Sequence, residues 1–281
     1  MNTLNRPVVV GVVDKQPSAL SFAIAQARAT RSPLRVIHSA GFPSQMAEMY
    51  AGAALIEDLR ADGQQVLDNA RRFVEERAPE LEAGFVLTSV PPLQALEDVA
   101  EDARVIVLGT DDIPWYERLL RTQVSGHLAL HAPCPVVVVP ELAYPGRFDG
   151  DIVLTLDGDT LADGPIRFAF EEASVHDRTL HVLHAAPPGT LSSDSEEIRA
   201  NIAEVLAGWH ERYPDVVVLP AFAAGDARAM IMRATERAGL VVVGRPHGHS
   251  MPFAVARPLA AQVLRGAHCP VAVVPASYPG G

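Results

Sequence analysis

Short apolar runs alternate along the chain with longer segments whose apolar residues recur at helical spacing. The first run, from Val8 to Val13, precedes a segment in which Leu20, Ile24 and Ala27 share one helical face. Runs that are apolar throughout are typical of parallel strands that are buried on both faces. The alternation therefore predicts an α/β fold, in which helices cover both faces of parallel sheets.

The same pattern gives approximate bounds for each element. In the first half, strands are predicted at 8–13, 34–37, 85–87, 105–108 and 136–139, and helices around 20–27, at 52–77, around 93–99 and near 117–131. In the second half, strands are predicted at 152–156, 179–184, 215–219, 240–243 and 271–274, and helices near 163–174, 194–212, 226–238 and 256–267. Each half therefore repeats five strands with helices between them.

An internal repeat explains this symmetry. Residues 132–140 read Ala-Pro-Cys-Pro-Val-Val-Val-Val-Pro and residues 267–275 read Ala-His-Cys-Pro-Val-Ala-Val-Val-Pro, at an offset of 135. The first strands, ending in Asp14 and Asp157, align at an offset of 143. The repeat predicts two tandem doubly wound domains, at residues 1–143 and 149–281.

Composition narrows the possible functions. The 281 residues are 48% hydrophobic and 20% charged, which is enough apolar material for a folded core. A net charge of −11 argues against a partner with a phosphate backbone, because nucleic-acid affinity depends on clustered Lys and Arg. Two cysteines and an N-terminus without a long apolar segment predict a cytoplasmic protein with no secretory signal, and no apolar run is long enough to span a membrane.

Three segments, in the same order in both halves, resemble the universal stress protein family in its tandem form. They are the first strand ending in Asp before a polar turn, the second strand exemplified by Leu180-His-Val-Leu-His-Ala185, and the ending Cys-Pro-Val-x-Val-Val-Pro. The resemblance implies a five-stranded parallel sheet of order 3-2-1-4-5 in each domain. It also implies that some members of the family bind adenine nucleotides, and that the last strand of the domain mediates dimerisation.

The family's ATP-binding members carry Gly-x2-Gly-x9-Gly-(Ser/Thr) after the fourth strand, and here Gly109 and Gly244 match its first position. The departures are Asp112, Thr122 and Gln123 in the first copy and His247, Arg257 and Pro258 in the second. A carboxylate at Asp112 repels phosphates, and Pro258 removes an amide donor. We therefore expect the ATP motif to be degraded in both halves, with no cofactor, in a non-catalytic stress-response binding or interaction module.

An ATP-binding stress sensor with a non-standard site in the second half is the alternative. Arg245 could supply positive charge there, Gly248 is displaced by one position from the missing glycine, and Gly225-Asp-Ala227 resembles the family's Gly-x-Pro loop better than Val90-Pro-Pro92 does. Asp14 and Asp157 match the family aspartate that holds the nucleoside, or they cap the following helices. The candidate nucleotide-binding residues are Asp14, Gly109, Asp157, Gly225, Gly244, Arg245 and Gly248.

Other chemistry has weaker support. Nucleophile-elbow, dinucleotide and Walker motifs are absent from the sequence, so we expect no enzyme activity. Asp111-Asp112 and His247-Gly-His249 lack further ligands nearby in the sequence, so we expect no metal site. His38 and His184 are interpreted as structural. The apolar last strands, 136–139 and 271–274, predict a homodimer or an intramolecular pseudo-dimer through these strands.

Overall fold

The computed structural model describes residues 6–14, 16–41, 53–110, 124–141, 148–156, 161–186, 192–245, 263–264 and 266–280. The chain divides into two compact units, Met1–Gly146 and Arg147–Gly280, called unit 1 and unit 2 below. Within each unit, every strand pairs in parallel with its neighbours. Each unit is therefore a parallel α/β domain.

Unit 1 alternates strands and helices. Its elements are β1 (Val8–Gly11), α1 (Pro17–Thr30), β2 (Leu34–Ser39), α2 (Ala53–Arg77), β3 (Ala83–Thr88), α3 (Pro92–Ala100), β4 (Val105–Gly109) and β5 (Val136–Val139). Residues 124–131 are also helical. The strand order is β3-β2-β1-β4-β5, as the family resemblance implied.

Unit 2 repeats this order. Its elements are β6 (Ile152–Leu156), α4 (Asp163–His176), β7 (Leu180–Ala186), α5 (Ser192–Arg212), β8 (Val218–Ala224), α6 (Ala227–Ala234), β9 (Leu240–Gly244) and β10 (Val271–Val274). The strand order is β8-β7-β6-β9-β10. The predicted fold class and strand order are confirmed in both units.

The core of each unit lies on both faces of its central strands. All four residues of β5 and all four of β10 are buried, as are the first four residues of β4 and of β9. Helix α1 buries Leu20, Ile24 and Ala27, as its period predicted. Because full burial of one aliphatic side chain stabilises a fold by about 1.5–3 kcal/mol, these continuous apolar strands supply the main stabilisation.

Strand register corrects the alignment of the two copies. Strands β1 and β6 begin opposite equivalent residues of their neighbours, so Val8 corresponds to Ile152, an offset of 144. The offset of 143 used for the first strands is therefore wrong by one residue. The first copy has one residue more than the second between the paired part of this strand and the aspartate that follows it.

Strand β8 begins later than the predicted 215–219. Asp215 belongs to the turn before the strand, where the Val216 amide donates to the Tyr213 carbonyl at 3.1 Å. The strand then runs through Pro220, beyond the predicted end at residue 219. Proline is tolerated here because β8 is an edge strand, and an edge proline needs no ladder donor on its open side.

Several other boundaries differ by a few residues. Strand β1 ends at Gly11 and not at Val13, and α6 ends at Ala234, before the predicted 238. The predicted helices near 117–131 and 256–267 lie partly outside the described residues. Helix ends commonly fray into turns, so these differences leave the architecture unchanged.

Candidate functional site

The carboxyl edge of each sheet is where a doubly wound fold places its ligand, at the switch point between the first and fourth strands. Gly109 is the last residue of β4 and Gly244 the last of β9. The next amides, of Thr110 and Arg245, donate to Val139 and Val274 respectively, each at 2.9 Å. The two edges therefore share one backbone geometry, and their side chains decide what each can bind.

In unit 1, Gln16 fills the space beside Gly109. This side chain is 3% exposed, and its Oε1 accepts a hydrogen bond from the Val13 amide at 3.3 Å. A methyl group added at Gly109 would lie only 3.0 Å from Gln16 Nε2, so the amide packs directly on the glycine. Gln16 therefore occupies the position between the β1–α1 turn and the end of β4.

A carboxylate lies at the start of α1. Ser18, in the first turn of this helix, donates from Oγ to Glu141 Oε1 at 3.0 Å. Helix N-termini favour anions because their first amides have no intrahelical acceptor. In unit 1 the protein's own Glu141 supplies that negative charge.

Unit 2 differs at the equivalent positions. Since α1 and α4 correspond at an offset of 146, Ala162 stands in place of Gln16 and Gly164 in place of Ser18. The Gly164 amide donates to the Ala276 carbonyl at 3.0 Å, so a neutral backbone oxygen takes the role of the Glu141 carboxylate. Among the described residues of unit 2, neither the buried amide nor this carboxylate has a counterpart at these positions.

Two buried histidines occupy matching positions. His38 Nδ1 lies 2.9 Å from the Val12 carbonyl oxygen, and His184 Nδ1 lies 3.0 Å from that of Leu156. A carbonyl only accepts, so Nδ1 carries the hydrogen in both rings. The bonds tie the end of the second strand to the end of the first, which agrees with the structural interpretation of both residues.

The loops after the third strands differ in their amide donors. Helix α3 begins with Pro91 as N-cap and Pro92 in its first turn, so two N–H groups are missing there. In unit 2, Gly225 has φ +153°, a conformation that favours glycine, and Asp226 caps α6 by accepting from the Arg228 amide at 3.1 Å. The cap places a carboxylate at the start of α6.

The candidate residues from the sequence are only partly described. Asp14 is exposed after β1, and because Gln16 is the N-cap of α1, Asp14 does not occupy the capping position. Gly109, Gly225, Gly244 and Arg245 lie at carboxyl ends of strands. Asp157 and Gly248 lie outside the described residues, as do Asp111, Asp112, His247, His249, Thr122, Gln123, Arg257 and Pro258.

Sequence reasoning missed Gln16, Ser18 and Glu141. One signal was available, since Pro17 marks the first helical position and places Gln16 in the turn beside the fourth strand. The contact with Gly109 joins residues far apart in the chain, and no spacing rule predicts it.

The two cysteines are buried free thiols. Cys134 is 3% exposed and Cys269 is 4% exposed. Burial raises the pKa of the Cys269 thiol to about 12, against a small opposing effect of a backbone hydrogen bond. Since the thiolate is the reactive form, Cys269 is not poised as a nucleophile.

Among the residues that the structure describes, no three or more His, Cys, Asp or Glu residues come together as a metal site would require. In the same part of the chain, no helix combines the length and apolar character needed to cross a bilayer.

Comparison with known proteins identifies the family. Residues 5–140 and 150–275 each match the model of the universal stress protein family. Universal stress protein Rv2623 of Mycobacterium tuberculosis (strain ATCC 25618 / H37Rv) is 28% identical over 257 residues, 84% of this chain and 85% of that protein. A universal stress protein of Mycolicibacterium smegmatis is 27% identical over 285 residues, 95% of this chain and 96% of that protein.

A solved structure supports the fold independently. The universal stress protein from Archaeoglobus fulgidus DSM 4304 superposes with a TM-score of 0.71 at 14% identity, covering 96% of each chain. The two matched segments coincide with the two parallel sheets, each with the strand order that the resemblance implied. The chain belongs to the universal stress protein family, as two tandem copies of its domain.

Proposed function

We propose that this protein is a non-catalytic stress-response module that acts by binding or interaction, and that its ATP motif is degraded in both halves. The carboxyl edge of unit 1 carries the argument. Gln16 fills the space beside Gly109, and Glu141 places a negative charge at the start of α1. Two like charges about 4 Å apart repel by about 4 kcal/mol at an effective dielectric constant of about 20, and such repulsion by Glu141 supports the proposal that unit 1 excludes a triphosphate.

The alternative is an ATP-binding stress sensor that uses unit 2. In unit 2, Ala162 lacks the buried amide group that Gln16 has in unit 1, and the Ala276 carbonyl stands where unit 1 has the Glu141 carboxylate. Arg245 directly follows Gly244 and adds positive charge at this edge. These differences favour Gly225, Gly244 and Arg245, with Asp157 and Gly248, over Asp14 and Gly109 as nucleotide-binding residues.

Bound nucleotide separates the two functions. The purified protein is heat-denatured, and the supernatant is analysed by chromatography for released ATP, ADP or AMP. We expect no stoichiometric nucleotide. One nucleotide per chain would overturn the proposed function and support the sensor.

A matched pair of variants tests the second half. We expect about 1 mM ATP to leave the melting temperature of the wild type unchanged, whereas a site with a Kd of about 10 µM would add about 2.7 kcal/mol of stability. Arg245→Glu and Thr110→Glu alter equivalent positions with the same backbone bond. A stabilisation by ATP that Arg245→Glu removes and Thr110→Glu retains would contradict the proposal and place the nucleotide in unit 2.

From the sequence we also propose a cytoplasmic homodimer in which the last strands, 136–139 and 271–274, pair within the chain as a pseudo-dimer. The absence of charged residues from both segments and the two free thiols support this assignment. Light scattering that detected only a 30.1 kDa species would contradict the homodimer.

A further inference from the structure

Strand β8 forms an edge of unit 2 that carries no charge. Residues 216–225 read Val-Val-Val-Leu-Pro-Ala-Phe-Ala-Ala-Gly. Val217 is 59% exposed and Leu219 is 48% exposed, although both are large apolar side chains. Exposed apolar edge strands tend to pair with another edge, and proteins usually protect them with charged residues.

The equivalent edge of unit 1 has that protection. Strands β3 and β8 correspond at an offset of 135, which puts Glu82 in place of Val217 and Gly84 in place of Leu219. A guanidinium lies over a ring in both units, Arg71 at 4.9 Å from the Phe85 ring on β3 and Arg199 at 5.3 Å from the Phe222 ring on β8, so this contact does not distinguish them. The exposed large apolar side chains of Val217 and Leu219 are what set the edge of unit 2 apart.

The open side of β8 presents hydrogen-bonding groups. Leu180 donates to the Val217 carbonyl and Gly225 donates to the Ala186 carbonyl, so the odd-numbered residues of β8 direct their backbone groups towards β7. The even-numbered residues face outwards because ladder bonding alternates along a strand. Of the four outward-facing residues of β8, Val218, Phe222 and Ala224 therefore offer free-edge N–H donors, and Pro220 has no N–H group.

We propose that β8 binds β8 of a second copy of this chain, antiparallel, about a two-fold axis at Ala221. Ala221 is the centre of the seven-residue strand, so this register aligns the two strands over their full length. Val218 lies opposite Ala224 of the second copy, and Pro220 lies opposite Phe222. The three donors of each strand then all meet carbonyls, and the missing donor of Pro220 costs a single bond per copy.

Charge supports a second copy as the occupant. Each chain carries a net charge of −11, so two copies repel each other except where they meet through an uncharged surface. In the antiparallel register, Asp215 of one copy lies opposite the start of α6 of the other, where exposed Asp226 and Arg228 carry opposite charges, so the contact depends on the uncharged strand between these ends.

A cysteine at the axis tests the register directly. In this pairing Ala221 faces its own copy as a non-hydrogen-bonded pair, with Cα atoms about 4.5 Å apart, within the range that a disulfide spans. We expect Ala221→Cys to form a covalent dimer under mild oxidation on a non-reducing gel. Val86→Cys changes the equivalent exposed position of β3 and should remain a single chain, since the native cysteines are buried.

Charged variants test the same surface without a covalent bond. We expect Ala221→Lys to raise the dissociation constant of the dimer at least tenfold in sedimentation equilibrium, and Val86→Lys to leave it unchanged. Circular dichroism melting verifies that each variant is folded.

Three results would overturn the interface. They are a monomeric wild type at about 100 µM, cross-linking by Val86→Cys equal to that of Ala221→Cys, and a dimer that Ala221→Cys does not cross-link. The last result would leave a dimer built on another surface. None of these measurements depends on nucleotide content, so the interface and the proposed binding function can fail separately, whereas a monomeric wild type would also contradict the homodimer.

Discussion

One buried side chain distinguishes the carboxyl edges of the two units. Gln16 packs on Gly109 and accepts from the Val13 amide, whereas Ala162 at the equivalent position of unit 2 has nothing beyond Cβ. A buried amide with a partner is stabilising, and its loss leaves both a cavity and an unpaired group. Gln16 therefore contributes to the stability of unit 1.

The substitution Gln16→Ala should lower the free energy of unfolding by about 1–2 kcal/mol, measured by urea denaturation. Gln64→Ala is the matched control, because Gln64 is exposed on α2 and its Nε2 only donates to Asp68 at 2.9 Å. We expect the control to change stability by less than about 0.5 kcal/mol. Equal losses in the two variants would mean that Gln16 does not pack as described.

His176 gives a second prediction at this scale. Burial lowers its pKa below the ordinary 6.5, and the nearby Arg178 lowers it further. The Glu172 carboxylate, 3.6 Å from Nε2, opposes this effect, but burial and Arg178 outweigh it. The unfolded chain therefore binds a proton at His176 more readily than the folded chain does.

The contribution of His176 to stability is thus present above pH 6.5 and is lost as the pH falls below 6.5 through the lowered pKa of the folded state. We expect His176→Gln to lose less stability than the wild type between about pH 7.5 and 5.5, in chemical denaturation at each pH. His210→Gln, at an exposed position of α5, should follow the wild type. A steeper pH dependence in His176→Gln would reverse the assigned direction.

At the scale of elements, most strands could be predicted because β-structure buried on both faces leaves an unbroken apolar run. Strand β8 could not be placed correctly, since its run continues from the turn at Val216 and contains Pro220. Only the knowledge that β8 is an edge makes this proline acceptable. The glycines that end β4 and β9 were found from the family motif, whereas the packing of Gln16 against Gly109 depends on tertiary contact.

Two glycines of unit 2 should respond oppositely to the same substitution. A methyl group at Gly239 would collide with the Gly150 carbonyl oxygen, next to the bond from the Gly239 amide to Asp151 at 2.9 Å. We expect Gly239→Ala to cost about 2–3 kcal/mol. Gly208 lies exposed within α5 with open space around it, so Gly208→Ala should stabilise by about 0.5–1 kcal/mol.

Urea denaturation of both glycine variants measures this difference. A loss in Gly208→Ala as large as that in Gly239→Ala would show that the close approach of backbone at Gly150 is not what requires glycine at 239. A stabilised Gly239→Ala would contradict the described contact itself.

At the scale of the whole molecule, the duplication repeats local features such as helix ends and buried hydrogen bonds, which the amino-acid composition does not show. Arg31 and Asp177 end α1 and α4 with positive φ angles of 54° and 52°, and His38 and His184 make the same bond to a carbonyl. The repeat could be predicted from the sequence because the strands kept their spacing. The difference between the two carboxyl edges could not be predicted, because it arises where the copies diverged, at Gln16 and Glu141.

The uncharged edge also has a consequence for valency. A two-fold pairing through β8 would give each assembly two copies of unit 1 and two of unit 2, all held in one particle. A partner with two weak docking points could then engage both chains, and such linkage raises apparent affinity by about 10²–10⁴ when the spacing allows it. Charging one strand would abolish this avidity while leaving each individual binding surface intact.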